Sequence, residues 1–521
     1  MKHILFIFSL SLLVACSGNR HTDKMIFRYN ESANILTLDP AFAKDQSTIW
    51  PCRQLYNGLI ELDTTLQVQP CIAKHWTISP DGLTYTFTLR NDVFFHKNPL
   101  FSTPDSTRRV TAADFVYSFH RITDPAIASP GAWIFSDVEN TDAPDDTTFI
   151  VRLKEPFAPF LSMLGMVYCS VVPHEVVEHY GKDFRNHPCG TGPFQFQYWK
   201  EGVKLVLRKN PYYFETGLPY LDAVAVTFIV DRQTVFLEFV KGNLDFMNSL
   251  DASYKDEILT LDGQLEKKYA DRIDMVSTPF LNTEYLGFNM EDNSILRDRR
   301  LRQAINLGFD RHKMMRYLRN NIGAPGTGGF IPKGLPGYSN CGYEYNPERA
   351  KQLIAQVEKE HGPLPSLKLS ATSNYLDLCK FIQQQLCLLG LTVEVDVNPP
   401  AALSEHVAQG KCEWFRKSWV ADYPDAENYL SLFYGPNRTP AGPNYTRFSN
   451  SRIDKIYKKM RSENNPERRI ALYREMDCLI MQEAPVVVLY YDQILHFTHK
   501  NVKGLRSNAM NNLDLRYVKI L

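Results

Sequence analysis

The chain switches between two hydrophobic periods, and the switching predicts a mixed α/β architecture. Leu83-Thr84-Tyr85-Thr86-Phe87-Thr88-Leu89-Arg90 alternates strictly. Leu83, Tyr85, Phe87 and Leu89 fall on one face, as in a half-buried strand opened by the Asp81-Gly82 turn. From Thr111 the period lengthens. Ala112, Phe115, Val116, Phe119 and Ile122 form one helical stripe, capped by Thr111 with Asp114 at the third helical position. Asn346-Pro347 opens another helix, with proline in the first turn where its missing N–H costs nothing. Ala350, Leu353, Ile354 and Val357 are that helix's apolar face.

Leu367-Lys368-Leu369 then reads as a strand. Leu376, Cys379, Ile382, Leu386 and Leu389 read as a helix stopped by Gly390, and 391–397 as a strand again. Strand, helix and strand in about 30 residues predict a βαβ unit with parallel strands. Ile453, Ile456, Tyr457 and Met460 mark an amphipathic helix, and Asn465-Pro466 starts a second. The continuous apolar run 485–491 is the pattern of a strand covered on both faces. No fixed-period repeat is present, which excludes a solenoid or propeller.

The start of the chain follows a different logic. Met1-Lys2-His3 is basic, and Ile4 to Leu13 is apolar except for Ser9 and Ser11. This run is too short for a permanent span and fits a secretory leader. Leu13-Val14-Ala15-Cys16 is similar to a bacterial lipobox, which makes Cys16 the expected lipidation site and 1–15 the expected signal peptide. No other stretch reaches 18 uninterrupted apolar residues. The expectation is an exported, extracytoplasmic protein tethered to a membrane by lipid. Nine of the ten cysteines remain after Cys16. They show no metal spacing, most read as buried free thiols, and some disulfides fit an exported chain. Cys379 and Cys387 both read as buried in one helix.

At 521 residues, with roughly 100–200 per domain, the chain has room for three or four domains. Its 58 Lys+Arg balance 58 Asp+Glu, so nucleic acid is not expected as a partner. Catalytic templates are missing: there is no Gly-x-Ser-x-Gly elbow and no His-Glu-x-x-His. The run Gly323-Ala-Pro-Gly326-Thr-Gly328-Gly329 lacks the Lys-Ser/Thr that phosphate binding requires, and reads as a mobile loop. Neither an enzyme, nor a metal, nor a cofactor is called for.

Six segments together resemble the solute-binding proteins of peptide-type ABC importers, the oligopeptide-, dipeptide- and nickel-binding family. The first is Gln54-Leu55-Tyr56-Asn57-Gly58-Leu59-Ile60 with Ile72-Ala73-Lys74-His75-Trp76 and 79–87 behind it. Then come Val110-Thr111-Ala112-Ala113-Asp114-Phe115 and Gly190-Thr191-Gly192-Pro193-Phe194, the latter with Lys209-Asn210-Pro211-Tyr212-Tyr213. Leu286-Gly287-Phe288-Asn289 follows, with 301–305 and Phe309-Asp310-Arg311. Trp419-Val420-Ala421-Asp422-Tyr423-Pro424-Asp425 and Asn444-Tyr445-Thr446-Arg447-Phe448 complete the series. A longer loop at 97–109 departs from the usual pattern. The resemblance implies a two-lobed periplasmic-binding-protein-like α/β fold with three domains around a ligand cleft. The first lobe would be 16–48, 187–278 and 495–521, an inserted domain 49–186, and the second lobe 279–494, with hinge crossings near 278 and 494.

It also implies a lipid-anchored, monomeric binding protein that captures short peptides, of about two to five residues, and passes them to ABC permease subunits. In peptide-binding relatives the Asp of Trp-x-Ala-Asp-Tyr takes the peptide ammonium, which assigns Asp422 that role, with Trp419 and Tyr423 as walls. Arg416, three residues before Trp419, is the implied partner of the peptide carboxylate. If 413–420 is a strand, Arg416 and Lys417 face opposite ways and only one enters the cleft. The other readings are a nickel or chelate binder, a sensor or adhesin of the same fold, and an exported hydrolase.

Overall fold

The computed structural model describes residues 24–250, 254–291 and 294–521. Cys16 and the expected leader 1–15 lie outside the described residues. Among the described residues no helix is long and apolar enough to cross a membrane.

A mixed sheet of 11 strands runs through the molecule. From one edge its order is Val393–Val397, Leu367–Ala371, Trp414–Val420, Ile273–Phe288, Val486–His499, Phe246–Asn248, Ile26–Asn30, Ala223–Thr227, Lys204–Lys209 and Phe194–Lys200, with Ala324–Pro325 added beside Val486–His499. The two long central strands carry the chain from one half to the other. They pair antiparallel from Ile273↔His499 to Gly287↔Val486, and Thr278 faces Ile494. The register slips between Pro279 and Thr283. Proline has no N–H for the ladder, so the pairing weakens where the halves meet.

Beyond the slip every residue from Leu281 to Phe288 is buried. One face packs Tyr285 with Phe330, Phe415 and Tyr429, and the other packs Leu286 and Phe288 with Trp414 and Leu489. The apolar run after Pro485 continues as a strand to His499 and is buried on both faces through Tyr491. Leu367–Ala371 and Val393–Val397 pair in parallel, joined by the helix Leu376–Cys387. This is the βαβ unit. Cys387 is exposed, however, while Cys379 is buried. Eight residues along a helix of 3.6 per turn end about 80° beyond two full turns, so both cysteines cannot share its inner face.

A separate antiparallel sheet has the order Ala73–Ile78, Thr84–Leu89, Thr148–Leu153, Val138–Asp142. Tyr85, Phe87 and Leu89 face its core, with Gly82 at φ 73° in the turn before them. Helix Ala112–Thr123 covers that core, and the Thr111 N–H donates to Asp114 Oδ2 at 2.8 Å.

The glycine-rich segment is pinned, not loose. Gly326 N donates to Leu489 O and Gly329 N to Ser339 O, both at 2.9 Å. Asp477, on helix Pro466–Glu483, accepts from Phe330 N at 2.8 Å and Ser339 Oγ at 2.7 Å. A Cβ on Gly329 would lie 1.7 Å from Asp477 Oδ2, which is why glycine stands there. The disulfide Cys341–Cys478 closes the same strap onto the helix.

Candidate functional site

The strand Trp414–Val420 ends at a turn that the rest of its half holds in place. Ala421 N donates to Leu281 O at 2.9 Å, and the Tyr429 hydroxyl donates to the same oxygen at 2.6 Å. Three acids follow in quick succession, and two are satisfied inward. Asp425 accepts from the Tyr473 hydroxyl at 2.7 Å and from Glu427 N at 2.9 Å. Glu427 accepts from the hydroxyls of Tyr423 and Tyr457. Burial raises both carboxyls above the usual carboxylate range.

Asp422 is the third acid and is placed differently. Its carboxylate accepts from Asn428 Nδ2 at 3.2 Å, and no described cation forms an ion pair with it. Asn428 is itself oriented: its Oδ1 accepts from Trp419 Nε1 at 2.9 Å and from Asp422 N at 3.2 Å. Asp422 is open to solvent, but protein encloses the space it opens into. That enclosure raises its carboxyl above the ordinary value, with the Asn428 bond working the other way. The result is an aimed carboxylate that no described cation pairs with, at the wall of a cavity.

The cavity has a volume of about 620 Å³, in the range of small-ligand sites. Its walls come from both sides of the molecule: Trp50, Trp133 and Tyr168 on one, Phe280, Asp422 and Tyr423 on the other. Trp50 is set by its indole N–H, which donates to Asn511 O at 2.8 Å. Burial, then the charges of Asp422 and Asp45, keep the Tyr168 hydroxyl protonated and able to donate. Trp133 meets Tyr423 at 6.2 Å between ring centroids, across the gap. Arg461 Nη2 reaches Asp137 Oδ2 at 2.5 Å and its guanidinium lies over the Phe157 ring at 4.6 Å. The two sides are therefore in contact.

The residues singled out from the sequence separate into three positions. Asp422 and Tyr423 line the cavity; Trp419 stands behind it as the group that orients Asn428. Arg416 is not in the lining. It lies on the face covered by Tyr375, with its guanidinium 3.2 Å from that ring centre, and is ion-paired with buried Glu284. Lys417 takes the opposite face, 4.0 Å from the centre of the Tyr445 ring, and burial draws it down to about 8. Trp50, Trp133, Tyr168 and Asn428 were not visible as site residues in the sequence. They carry no local motif and meet only through the fold.

Residues 67–441 match the family model described as bacterial extracellular solute-binding proteins, family 5. The glutathione-binding protein GsiB of Salmonella choleraesuis (strain SC-B67) is 26% identical over 479 residues, covering 91% of this chain and 90% of its own. Two solved structures share the fold. The ABC transporter-associated periplasmic binding protein DppA from Helicobacter pylori, in complex with peptide STSA, has a TM-score of 0.80 at 24% identity, over 95% of this chain and 98% of that one. NikZ from Campylobacter jejuni, in complex with Ni(L-His), has a TM-score of 0.74 at 20% identity, over 94% and 97%.

Proposed function

The chain belongs to the bacterial extracellular solute-binding proteins of family 5, and from that premise we propose that it captures short peptides by their α-ammonium at Asp422 and delivers them to an ABC importer. The family binds solutes and is not one of enzymes. The observation that carries the proposal is the Asp422 carboxylate: oriented by Asn428, at the wall of the cavity, and ion-paired with no described cation. A peptide ammonium brings three donors and one positive charge to such a group. The aromatic walls accept varied side chains, and the Tyr168 hydroxyl is available to the backbone. The lining contains neither histidine nor cysteine, which favours an amine over a nickel ion.

The lobes 16–48, 187–278 and 495–521 on one side, with the insertion 49–186, and 279–494 on the other would close about the crossing where Thr278 faces Ile494. Closure would expel water and strengthen the ion pair. Lipid on Cys16 would keep the protein at a membrane, and the disulfide Cys341–Cys478 supports an oxidising, extracytoplasmic setting.

The test is calorimetric titration with trialanine and N-acetyltrialanine, on wild type and Asp422→Asn, alongside mass spectrometry of whatever co-purifies. Free-amine peptide should bind wild type at least about tenfold more tightly than either altered pair. Equal binding of the acetylated peptide would remove Asp422 as the anchor.

A further inference from the structure

We infer that the chain carries a second ligand site, for a small amphiphilic anion of the fatty-acid type, in a crevice between segment 34–48 and the inserted domain. The site does not depend on how Asp422 is used.

The crevice has a volume of about 630 Å³, as large as the cavity beside Asp422 and within the range of small-ligand sites. Three stretches wall it: 34–48, the end of helix Ala112–Thr123 with the loop after it, and the turn around Gly181, Lys182 and Arg185. These stretches are tied to one another, so the crevice is a fixed feature of the fold. Arg121 Nη1 and Nη2 hold the two oxygens of Asp39 at 3.0 and 2.5 Å. Ser129 Oγ donates to Ala41 O at 2.6 Å. Leu38 N donates to Arg185 O at 3.1 Å, and Arg185 Nη1 donates back to Leu36 O at 2.8 Å.

Two features give the crevice a ligand chemistry. The first is apolar surface that the fold leaves uncovered. Leu36, 62% exposed, lines the crevice together with Phe42, Ile127 and Pro130. A hydrocarbon chain laid on this wall gains about fourfold in binding constant for each methylene it buries. The second feature is charge. Among the described residues the lining carries four cations, Lys44, Arg121, Lys182 and Arg185, against two carboxylates, Asp39 and Asp45. Arg121 is taken by Asp39, and Arg185 reaches Glu201 at 3.0 Å. Lys44 and Lys182 form no ion pair with a described residue. An apolar wall with a surplus of lysine beside it complements a molecule that has an apolar chain and one acidic head. A cationic amphiphile would meet the same wall and be repelled at the rim, and a small acid without a chain would leave the wall uncovered.

The crevice adjoins the peptide cavity without being part of it. Lys44, Asp45 and Pro130 line both. The remaining walls differ: Ile127 and Lys182 belong to the crevice alone, and Trp133 to the peptide cavity alone. These three residues therefore tell the two sites apart.

The experiment is calorimetric titration of the mature chain, made with Cys16→Ala so that no detergent is needed. The probes are octanoate, octyltrimethylammonium and acetate, each below its aggregation concentration. Octanoate should bind at least about tenfold more tightly than either of the others. Ile127→Asp, which sets a carboxylate in the apolar wall, should weaken octanoate by about tenfold or more. Lys182→Glu should narrow the preference for octanoate over octyltrimethylammonium by about threefold or more. Trp133→Ala should leave octanoate binding as it is. Lys182 and Trp133 are both exposed, so these two variants decide the assignment even where Ile127→Asp fails to fold. A wild type that binds no octanoate, or binds octyltrimethylammonium as tightly, overturns the inference. So does a preference that survives Lys182→Glu in full. Octanoate binding lost in Trp133→Ala would place the amphiphile in the peptide cavity and overturn it as well.

Discussion

Replacing Asp477 by asparagine should stabilise the protein at alkaline pH and leave it unchanged in acid. Asp477 has no solvent exposure and no cation beside it. Burial pushes its carboxyl up from 3.8 to about 7, with the bonds from Ser339 and Phe330 opposing. Across the interval from 3.8 to about 7 the folded chain keeps a proton that the unfolded chain has released. The folded state therefore binds more protons, and stability falls as pH rises. The contribution is fully present below the unfolded value and is lost as pH passes the folded one. A shift of 7 − 3.8 = 3.2 units, at 1.36 kcal/mol each, is about 4 kcal/mol as an upper figure. Asparagine has nearly the same shape. Its oxygen can accept from Phe330 N–H, and its amide can donate to the Ser339 hydroxyl, which turns to accept. It carries no proton to lose. The assay is thermal melting of wild type and Asp477→Asn from pH 4 to pH 8. The melting temperatures should coincide at the acid end and diverge toward pH 8, with Asp477→Asn higher by a few degrees. A variant less stable by a constant amount at every pH would show that Asp477 is held as a carboxylate by its donors, and the argument from burial would be refuted.

Four other outcomes follow from the geometry. Arg461→Ala should loosen the contact between the two sides and weaken peptide binding by about two- to fivefold, roughly 0.5–1 kcal/mol for a partly exposed pair; the reversal Arg461→Asp with Asp137→Arg should recover it, read by titration at low salt. Arg416→Met should lower stability by about 3–5 kcal/mol because Glu284 is left buried and charged, and adding Glu284→Leu should restore most of it in denaturant melts. Affinity for free-amine peptide should fall as pH drops through the raised value of Asp422, above the usual carboxylate range, since protonation competes with the ammonium; binding that stays flat to pH 4 would contradict it. Cys16→Ala should move the protein out of the membrane fraction, and full retention there would exclude lipid on Cys16.

The secondary elements were legible because their signals are local. Tyr85, Phe87 and Leu89 alternate within one strand, and Asn346-Pro347 is a cap written in adjacent residues, with Asn346 Oδ1 accepting from Arg349 N at 3.0 Å. The glycine-rich strap misled because its partners are distant: Gly329 owes its identity to Asp477, 148 residues on. Cys387 misled because a spacing of eight approximates a helical repeat without being one. The cavity was hidden for the same reason as the strap. Its lining gathers residues near 45, 133, 168, 280, 422 and 511, and no window of sequence contains two of those groups.

The acids after Trp419 show what sequence can and cannot say about a site. Asp422, Asp425 and Glu427 are alike as residue types, and all three are held in environments that raise their carboxyls. The difference lies in who donates to them. Tyr473 serves Asp425, while Tyr423 and Tyr457 serve Glu427; Tyr457 and Tyr473 stand on the helices Ser451–Ser462 and Pro466–Glu483, and Tyr423 in the turn itself. Asp422 receives a side-chain amide only, and that amide is aimed by an indole. The same reasoning sets Arg416 aside: it is spent on buried Glu284 and lies outside the cavity lining. A binding site in this fold is thus marked by the hydrogen-bonding capacity that folding leaves unfilled, and the Asp422 carboxylate on the cavity wall is that capacity here. Comparing trialanine with its N-acetyl form, on wild type and Asp422→Asn, in one thermodynamic cycle measures the coupling between ammonium and carboxylate directly. Strict additivity would mean that the ammonium is not paired with Asp422.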